Sequence, residues 1–256
     1  MNAPATYKTQ GVVLKQTPIG EADRVLSIFT RDLGKVRVVA RGVRKPRSKL
    51  AGHLEPLSHV AISVSRGRSL DPIKEAETVQ SFRGVRENLQ LVSEAVYLAE
   101  LVESFSAEGQ PSPGVYRLLL DALAWLETNG DSVGLMRYFE VQLLGESGFG
   151  PELHSCVGCR ATLEPGDYLY SSEAGGVLCE DCKVTTGAAL MPLSQDANKV
   201  LRFYVRARLD EAASLNVPPR VAEETDRVLR HYVRYVLERE LKSVEFMDLV
   251  RRQAGN

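Results

Sequence analysis

No stretch of this 256-residue chain approaches the ~18 consecutive apolar residues that a membrane-spanning helix needs. Its first residues, MNAPATYKTQ, carry neither the apolar core nor the charged flank of a secretory signal. Both absences lead to the expectation of a cytoplasmic protein in a reducing compartment. Cysteine is scarce: all four lie between positions 156 and 182, so no disulfide framework runs through the chain. Enzyme signatures are missing as well. There is no GxxxxGK[ST] phosphate loop, no HExxH and no GxSxG, and the basic N-terminal part shows no acidic cluster for a nuclease metal. These absences favour a binding protein over an enzyme. Aromatics are few in residues 1–83, where only Tyr7, Phe29 and Phe82 occur, and Phe29 has a buried pattern.

What is present is unevenly distributed. The formal net charge of −1 hides a basic head and an acidic body. Residues 1–83 hold 15 basic and 7 acidic side chains, and the remaining 173 residues hold 17 basic and 26 acidic ones. A basic head on an acidic body suggests that the head meets a polyanion. A solvated basic face would explain scattered charge equally well. The charge here is concentrated: residues 31–49 carry eight Lys or Arg against the single acid Asp32.

Strand signals come first and helix signals after them. The stretches 11–17, 24–30, 35–41, 59–65 and 71–79 are short, rich in β-branched residues and separated by Gly, Pro or Asp. In the fourth, Val60, Ile62 and Val64 alternate with His59, Ala61, Ser63 and Ser65, the period of a half-buried strand. Five such strands predict a small antiparallel barrel, the OB-fold being the five-stranded member of that class. From about residue 86 the apolar period becomes helical, over 88–105, 111–127, 132–148, from Ser194 onward and over 219–243. The fold class predicted is therefore α+β. It places an OB-fold DNA-binding domain over 1–83 and a helical domain over 84–256, with a zinc insertion at about 152–190.

In the third strand, Val36, Val38 and Ala40 point one way, while Lys35, Arg37, Val39 and Arg41 point the other. The cations of that face run into the loop RGVRKPRSK, where Gly42 and Pro46 argue against helix. Lys35, Arg37, Arg41, Arg44, Lys45, Arg47 and Lys49 are thus the candidate DNA-binding residues. With so few rings for base stacking, the expected contacts are to phosphate, salt-sensitive and indifferent to base sequence.

The strongest chemical signal is CVGC followed by LCEDC. Cys156-x2-Cys159 and Cys179-x2-Cys182 each offer two thiolates from one tight turn, and four soft ligands complete a tetrahedron around Zn2+. Paired disulfides or a redox CxxC are the alternatives; a reducing compartment opposes the first, and two knuckles rather than one oppose the second. Four protein ligands leave no open position, so the zinc would be structural. Between the knuckles, DYLYSSEAGGVL reads as two strand-like pieces about a turn, a zinc ribbon.

The order GVVLKQTPIGEADRVLSIFTRDLGKVRVVARGVRKPRSKLAGHLEPLSHV, with its GEADR and TRDLGK turns, resembles the opening of the RecO family. These are recombination mediators and DNA-annealing proteins of bacterial recombinational repair, in the RecFOR pathway. YFEVQLLGESGFGPELHSCVGC is similar to the helix that enters that family's zinc module. Some relatives lack the cysteines; this chain keeps all four. The resemblance implies an N-terminal OB-fold, a helical domain with a zinc finger, and binding to single- and double-stranded DNA. It further implies annealing of strands coated by single-strand-binding protein, action with RecR and with RecF through the mediator complex, and a nucleoid-associated location. RecR is expected at the basic head. The acidic, apolar-ended tail of single-strand-binding protein is expected on the helical part, at Arg117 and Arg137 or at Arg202, Arg206 and Arg208 beside Tyr204. An RNA-binding translation or transcription factor and a zinc-dependent enzyme on nucleic acid are the rival readings.

Overall fold

The computed structural model describes residues 6–185 and 190–254. Residues 1–5, on which the leader expectation partly rests, and residues 186–189 of the expected zinc segment lie outside the described residues. Five strands form at the predicted places, the first of them longer than its expected 11–17 at both ends: β1 (Thr6–Ile19), β2 (Asp23–Thr30), β3 (Gly34–Ala40), β4 (His59–Ser65) and β5 (Asp71–Gln80). They close into a barrel in the order β1-β2-β3-β5-β4. All pairings are antiparallel except the short parallel seam Val38↔Asp71 and Val39↔Pro72.

β1 serves two neighbours. Its first half pairs with β4, from Thr6↔Ser65 to Val12↔His59, and its second half with β2, from Gly11↔Thr30 to Ile19↔Asp23. The register shifts between Val13 and Lys15, a bulge of the kind that bends a strand and sharpens its twist. The barrel interior is filled by Val13, Leu26, Ile28, Val38, Ala40, Val60, Ile62, Val64 and Ile73. The alternation read in the third and fourth strands is therefore the one that packs: Val36 lies against this core while Arg37 is exposed.

The remaining elements are α1 (Arg83–Arg86), α2 (Leu89–Phe105), α3 (Pro113–Asn129), α4 (Val133–Glu146), β6 (Tyr168–Ser171), β7 (Gly176–Leu178), a 3-10 helix (Glu180–Thr185), β8 (Leu190–Leu193), α5 (Gln195–Arg206), α6 (Leu209–Ala213), α7 (Pro219–Leu237) and α8 (Lys242–Ala254). Helix starts follow their caps: the side chains of Asn88, Ser112, Ser132 and Ser194 each accept a backbone N–H from the first turn of the helix they precede.

The chain forms two compact units, Met1–Gly130 with Lys242–Asn256, and Asp131–Leu241. In the first, the barrel shares its unit with α1, α2, α3 and α8. The Tyr116 hydroxyl on α3 lies 2.8 Å from His59 Nε2 on β4, and burial lowers the His59 pKa from its ordinary value. α8 begins on Glu100 of α2, whose carboxylate accepts the N–H groups of Lys242 and Ser243 at 3.1 and 2.7 Å.

Two expectations need correction. The helix predicted over 219–243 ends at Leu237, because Glu238 takes a left-handed conformation (φ 53°) and a new helix starts at Lys242. Arg137, expected on an accessible face, is 1% exposed. It pairs with Glu140 at 3.0 Å and Asp226 at 2.8 Å, and Asp226 also holds Arg230 at 2.8 Å. A buried guanidinium requires such partners, so Arg137 cannot receive a peptide carboxylate.

Gly34 sits at a tight approach. Its φ is 66°, and a Cβ there would lie 2.1 Å from the Gln110 carbonyl oxygen. The left-handed backbone alone costs a non-glycine residue about 1–2 kcal/mol, and the overlap adds to that. Gly34→Ala is expected to lower the free energy of unfolding, read from denaturant titration, by at least that amount; an unchanged unfolding free energy would contradict the packing of residues 108–110 against β3.

Candidate metal centre and nucleic-acid interface

The four cysteines are carried by two turns of the second unit. In the first knuckle the Arg160 N–H donates to the Cys156 carbonyl at 2.9 Å, with Arg160 in the left-handed region (φ 66°). In the second, the Cys182 N–H donates to the Cys179 carbonyl at 3.2 Å. The hairpin of β6 and β7 sets the distance between knuckles, and β8 adds a third strand in the order β7-β6-β8. Val157 N–H donates to the Val177 carbonyl at 2.9 Å, which ties the first knuckle to β7. Gly158 allows the knuckles to close, since a Cβ there would meet Cys182 Sγ at 3.1 Å.

All four thiols are free of disulfides, and their sulfur atoms lie within 4.8 Å of one another. Cys159 Sγ and Cys179 Sγ are 3.8 Å apart. A tetrahedral ion with metal–sulfur bonds of about 2.3 Å has sulfur–sulfur edges of about 3.8 Å, so the donor set fits such an ion. Burial raises the Cys156 thiol, but the N–H groups of Cys179, Cys159 and Gly158 outweigh it and bring the pKa to about 6. The neighbouring thiols Cys179, Cys159 and Cys156 push Cys182 up to about 12. Four sulfurs this close cannot all ionise without a cation among them. The arrangement is compatible with a structural zinc and offers no vacant coordination position.

The second candidate site is the loop that follows β3. Val43 is buried in the barrel core, and Leu50 and Ala51 pack against it, so the loop is anchored near both ends. Arg41, Arg44, Lys45, Arg47 and Lys49 remain exposed between these anchors. Its backbone is fixed by the turn between β1 and β2. The Gly42 N–H donates to Asp23 Oδ1 at 2.7 Å, the Arg44 N–H to the Ala22 carbonyl at 2.9 Å, and Arg44 Nη1 to the Gly20 carbonyl at 3.4 Å. Arg24, the next residue, donates to Gln16 Oε1 at 2.5 Å. Among the described residues, none of the five loop cations forms an ion pair.

Lys35 and Arg37 are placed differently. Lys35 Nζ donates to the Glu103 carbonyl at 2.6 Å, and Arg37 lies 3.8 Å from the Glu108 carboxylate. The structure therefore groups five of the seven candidate cations on the loop and directs Lys35 to the C-terminal end of α2 and Arg37 to Glu108 in the segment that follows it. The clamp residues Ala22 and Asp23 were not read as functional from sequence. Their only signal was the GEADR turn itself.

The aromatics of the barrel are occupied. Phe29 and Phe82 are buried. Tyr7 lies under the Arg66 guanidinium at 4.7 Å and donates to Asp71 at 3.2 Å. Of the peptide-site candidates other than Arg137, Arg202 donates to the Leu153 carbonyl at 2.8 and 2.5 Å and Arg208 pairs with Asp210 at 3.3 Å, while Arg117 and Arg206 are exposed. His231, expected as a simple surface residue, is partly buried with Nδ1 2.8 Å from Ser172 Oγ. No helix among the described residues is long and apolar enough to cross a membrane.

Comparison with known proteins covers nearly the whole chain. The family model "Recombination protein O N terminal" matches residues 1–82, and "Recombination protein O C terminal" matches residues 86–245. A protein of Dehalococcoides mccartyi named DNA repair protein RecO is 38% identical over 251 residues, 98% of each chain. Proteins of the same name from Symbiobacterium thermophilum and Desulforamulus reducens are 37% and 35% identical. They cover 96% and 94% of this chain and 98% and 94% of their own.

Proposed function

The chain belongs to the RecO family, with a role in DNA repair and recombination, and on that premise we propose that it is a DNA-binding mediator rather than an enzyme. It binds single- and double-stranded DNA through phosphate contacts made by the OB-fold domain, residues 1–83. It anneals complementary strands, including strands coated by single-strand-binding protein, whose acidic tail it engages through the helical domain, residues 84–256. It acts with RecR and, through the mediator complex, with RecF, in the cytoplasm at the nucleoid.

One observation carries this reading: five exposed cations on a loop whose backbone is held in place and whose charges, among the described residues, form no ion pair. A preformed row of guanidinium and ammonium groups binds phosphate without first ordering itself. Arg41, Arg44, Lys45, Arg47 and Lys49 are the primary contacts in this proposal. Lys35 and Arg37 contribute at its margin, where Glu103 at the end of α2 and Glu108 after it already engage them. Because the barrel's rings are occupied, the bases of a bound strand stay unread and free to pair, which suits annealing.

The metal in this reading is one structural Zn2+ per chain, held by Cys156, Cys159, Cys179 and Cys182. When bound it supplies the positive charge that lets four neighbouring thiolates coexist. Closing such a site contributes on the order of 10 kcal/mol of local folding free energy, which a segment with three short strands cannot draw from its own core. An RNA-binding factor built on the same barrel and ribbon is the second reading; the unpaired cations favour any polyanion, and family membership favours DNA.

Four measurements test the proposal. A fluorescence-quench assay should show annealing of complementary DNA strands, and for coated strands it should fall when the acidic tail of the coating protein is removed. If 4 to 6 phosphates are neutralised, log affinity for single strands should fall against log salt with a slope of about −3 to −4. Reversing the five loop charges should abolish binding without changing the melting temperature. A slope near zero, undiminished binding by the reversed chain, or tighter binding to RNA than to DNA would overturn the reading. Elemental analysis of the purified protein should find one zinc per chain, and Cys179→Ser should lower both that content and the stability of Asp131–Leu241. Full retention of metal by Cys179→Ser would rule out the four-cysteine assignment.

A further inference from the structure

The β1–β2 hairpin does more than brace the loop. Its strands stay paired out to Ile19↔Asp23, and a three-residue turn, Gly20 to Ala22, closes it. Every residue from Thr17 to Glu21 is exposed, and Ile19 is 49% exposed. The end of this hairpin thus presents Ile19 to solvent, on the strand face it shares with its partner Asp23, while Pro18 is exposed on the opposite face. A lone exposed isoleucine needs no explanation. This one is set beside the most cationic segment of the chain and is held there by backbone hydrogen bonds from that same segment to Ala22 and Asp23.

We propose that Ile19 forms a wedge that enters the base stack of DNA whose phosphates are held by the basic loop, an inference that rests on the DNA-binding reading above. Apolar tips of this kind, proline and isoleucine among them, partly unstack a base step and kink the duplex. The turn also carries Glu21, which is exposed, and Asp23, whose carboxylate is engaged by the Gly42 N–H. Against them stand Arg41, Arg44, Lys45, Arg47 and Lys49, so the local balance stays positive.

Burying one branched aliphatic side chain gains about as much free energy as opening one base step consumes. Insertion into an intact duplex is therefore near balance, and insertion where stacking is already interrupted is favoured. The wedge selects junctions between single and double strands, the place where annealing begins or stalls. It also gives a purpose to the rigid clamp, because a tip on a mobile loop would fold back rather than insert.

The test uses the full chain and a DNA junction carrying 2-aminopurine at the first paired step, whose fluorescence rises on unstacking. The wild-type chain is expected to brighten the probe and to prefer the junction over the uninterrupted duplex by about tenfold, the factor that one buried aliphatic side chain carries. Ile19→Asn should abolish both effects while changing affinity for single strands by less than about twofold; Ile19→Phe should restore them. The Ile19 side chain is exposed, so the melting temperature should stay the same. The wedge is overturned if the wild-type chain leaves the probe dark, if Ile19→Asn brightens it equally, or if Ile19→Asn weakens single-strand and junction binding alike. Failure of the loop reading has a separate signature, undiminished DNA binding after charge reversal at Arg44 and Lys45.

Discussion

Asp23 opens β2, and its carboxylate holds the Gly42 N–H at 2.7 Å, nineteen residues further along the chain. One residue earlier, the Ala22 carbonyl holds the Arg44 N–H at 2.9 Å. A segment of Arg, Lys, Gly, Pro and Ser has little apolar surface with which to fix its own backbone, and its charges repel one another. These two bonds, with Val43 buried beneath them, turn that segment from a flexible polyelectrolyte into a surface of fixed shape. The conformational cost of ordering it is then met during folding, and under the proposed function a bound strand would gain the cations without ordering them again.

The second unit applies the same logic with different chemistry. Its short strands β6, β7 and β8 span 4, 3 and 4 residues, too few for an independent sheet. The cysteine cluster gathers the two turns around one point, and the Cys156 sulfur is further oriented by N–H groups of Gly158 and Cys179 at 3.4 Å. Elsewhere in that unit, the buried Arg137 is satisfied by Glu140 and Asp226. Polar cores of this kind fix side chains in place, because a displaced member would be left charged and dry.

Much of this was legible in the sequence. Strand positions were readable because alternation has a period of two and the barrel interior enforces it. The cysteine spacing pointed to the four-sulfur cluster that the fold brings together. The failures have physical causes. The break at Glu238 lies in LERELKS, a run of good helix formers with no glycine or proline, so nothing local marks the stop. Arg137 sits beside Met136 and Phe139, both buried, which opposes the expected accessible face; a helix that is apolar all round is buried, and an arginine within it must be paired. β8 was missed because its four residues, one of them Pro192, carry too short a pattern. The engagement of Lys35 by Glu103, 68 residues away, leaves no trace in any local window.

The barrel, the clamp and the basic loop together make one claim: DNA meets this chain on the end of the barrel where the β1–β2 turn and residues 41–49 are joined. Hydrogen exchange of the full chain, with and without a single-stranded oligonucleotide, addresses it most directly. The account predicts slowed exchange within residues 17–24 and 41–49, and little change in Asp131–Leu241. Slowed exchange confined to Asp131–Leu241, with residues 41–49 unaffected, would contradict it.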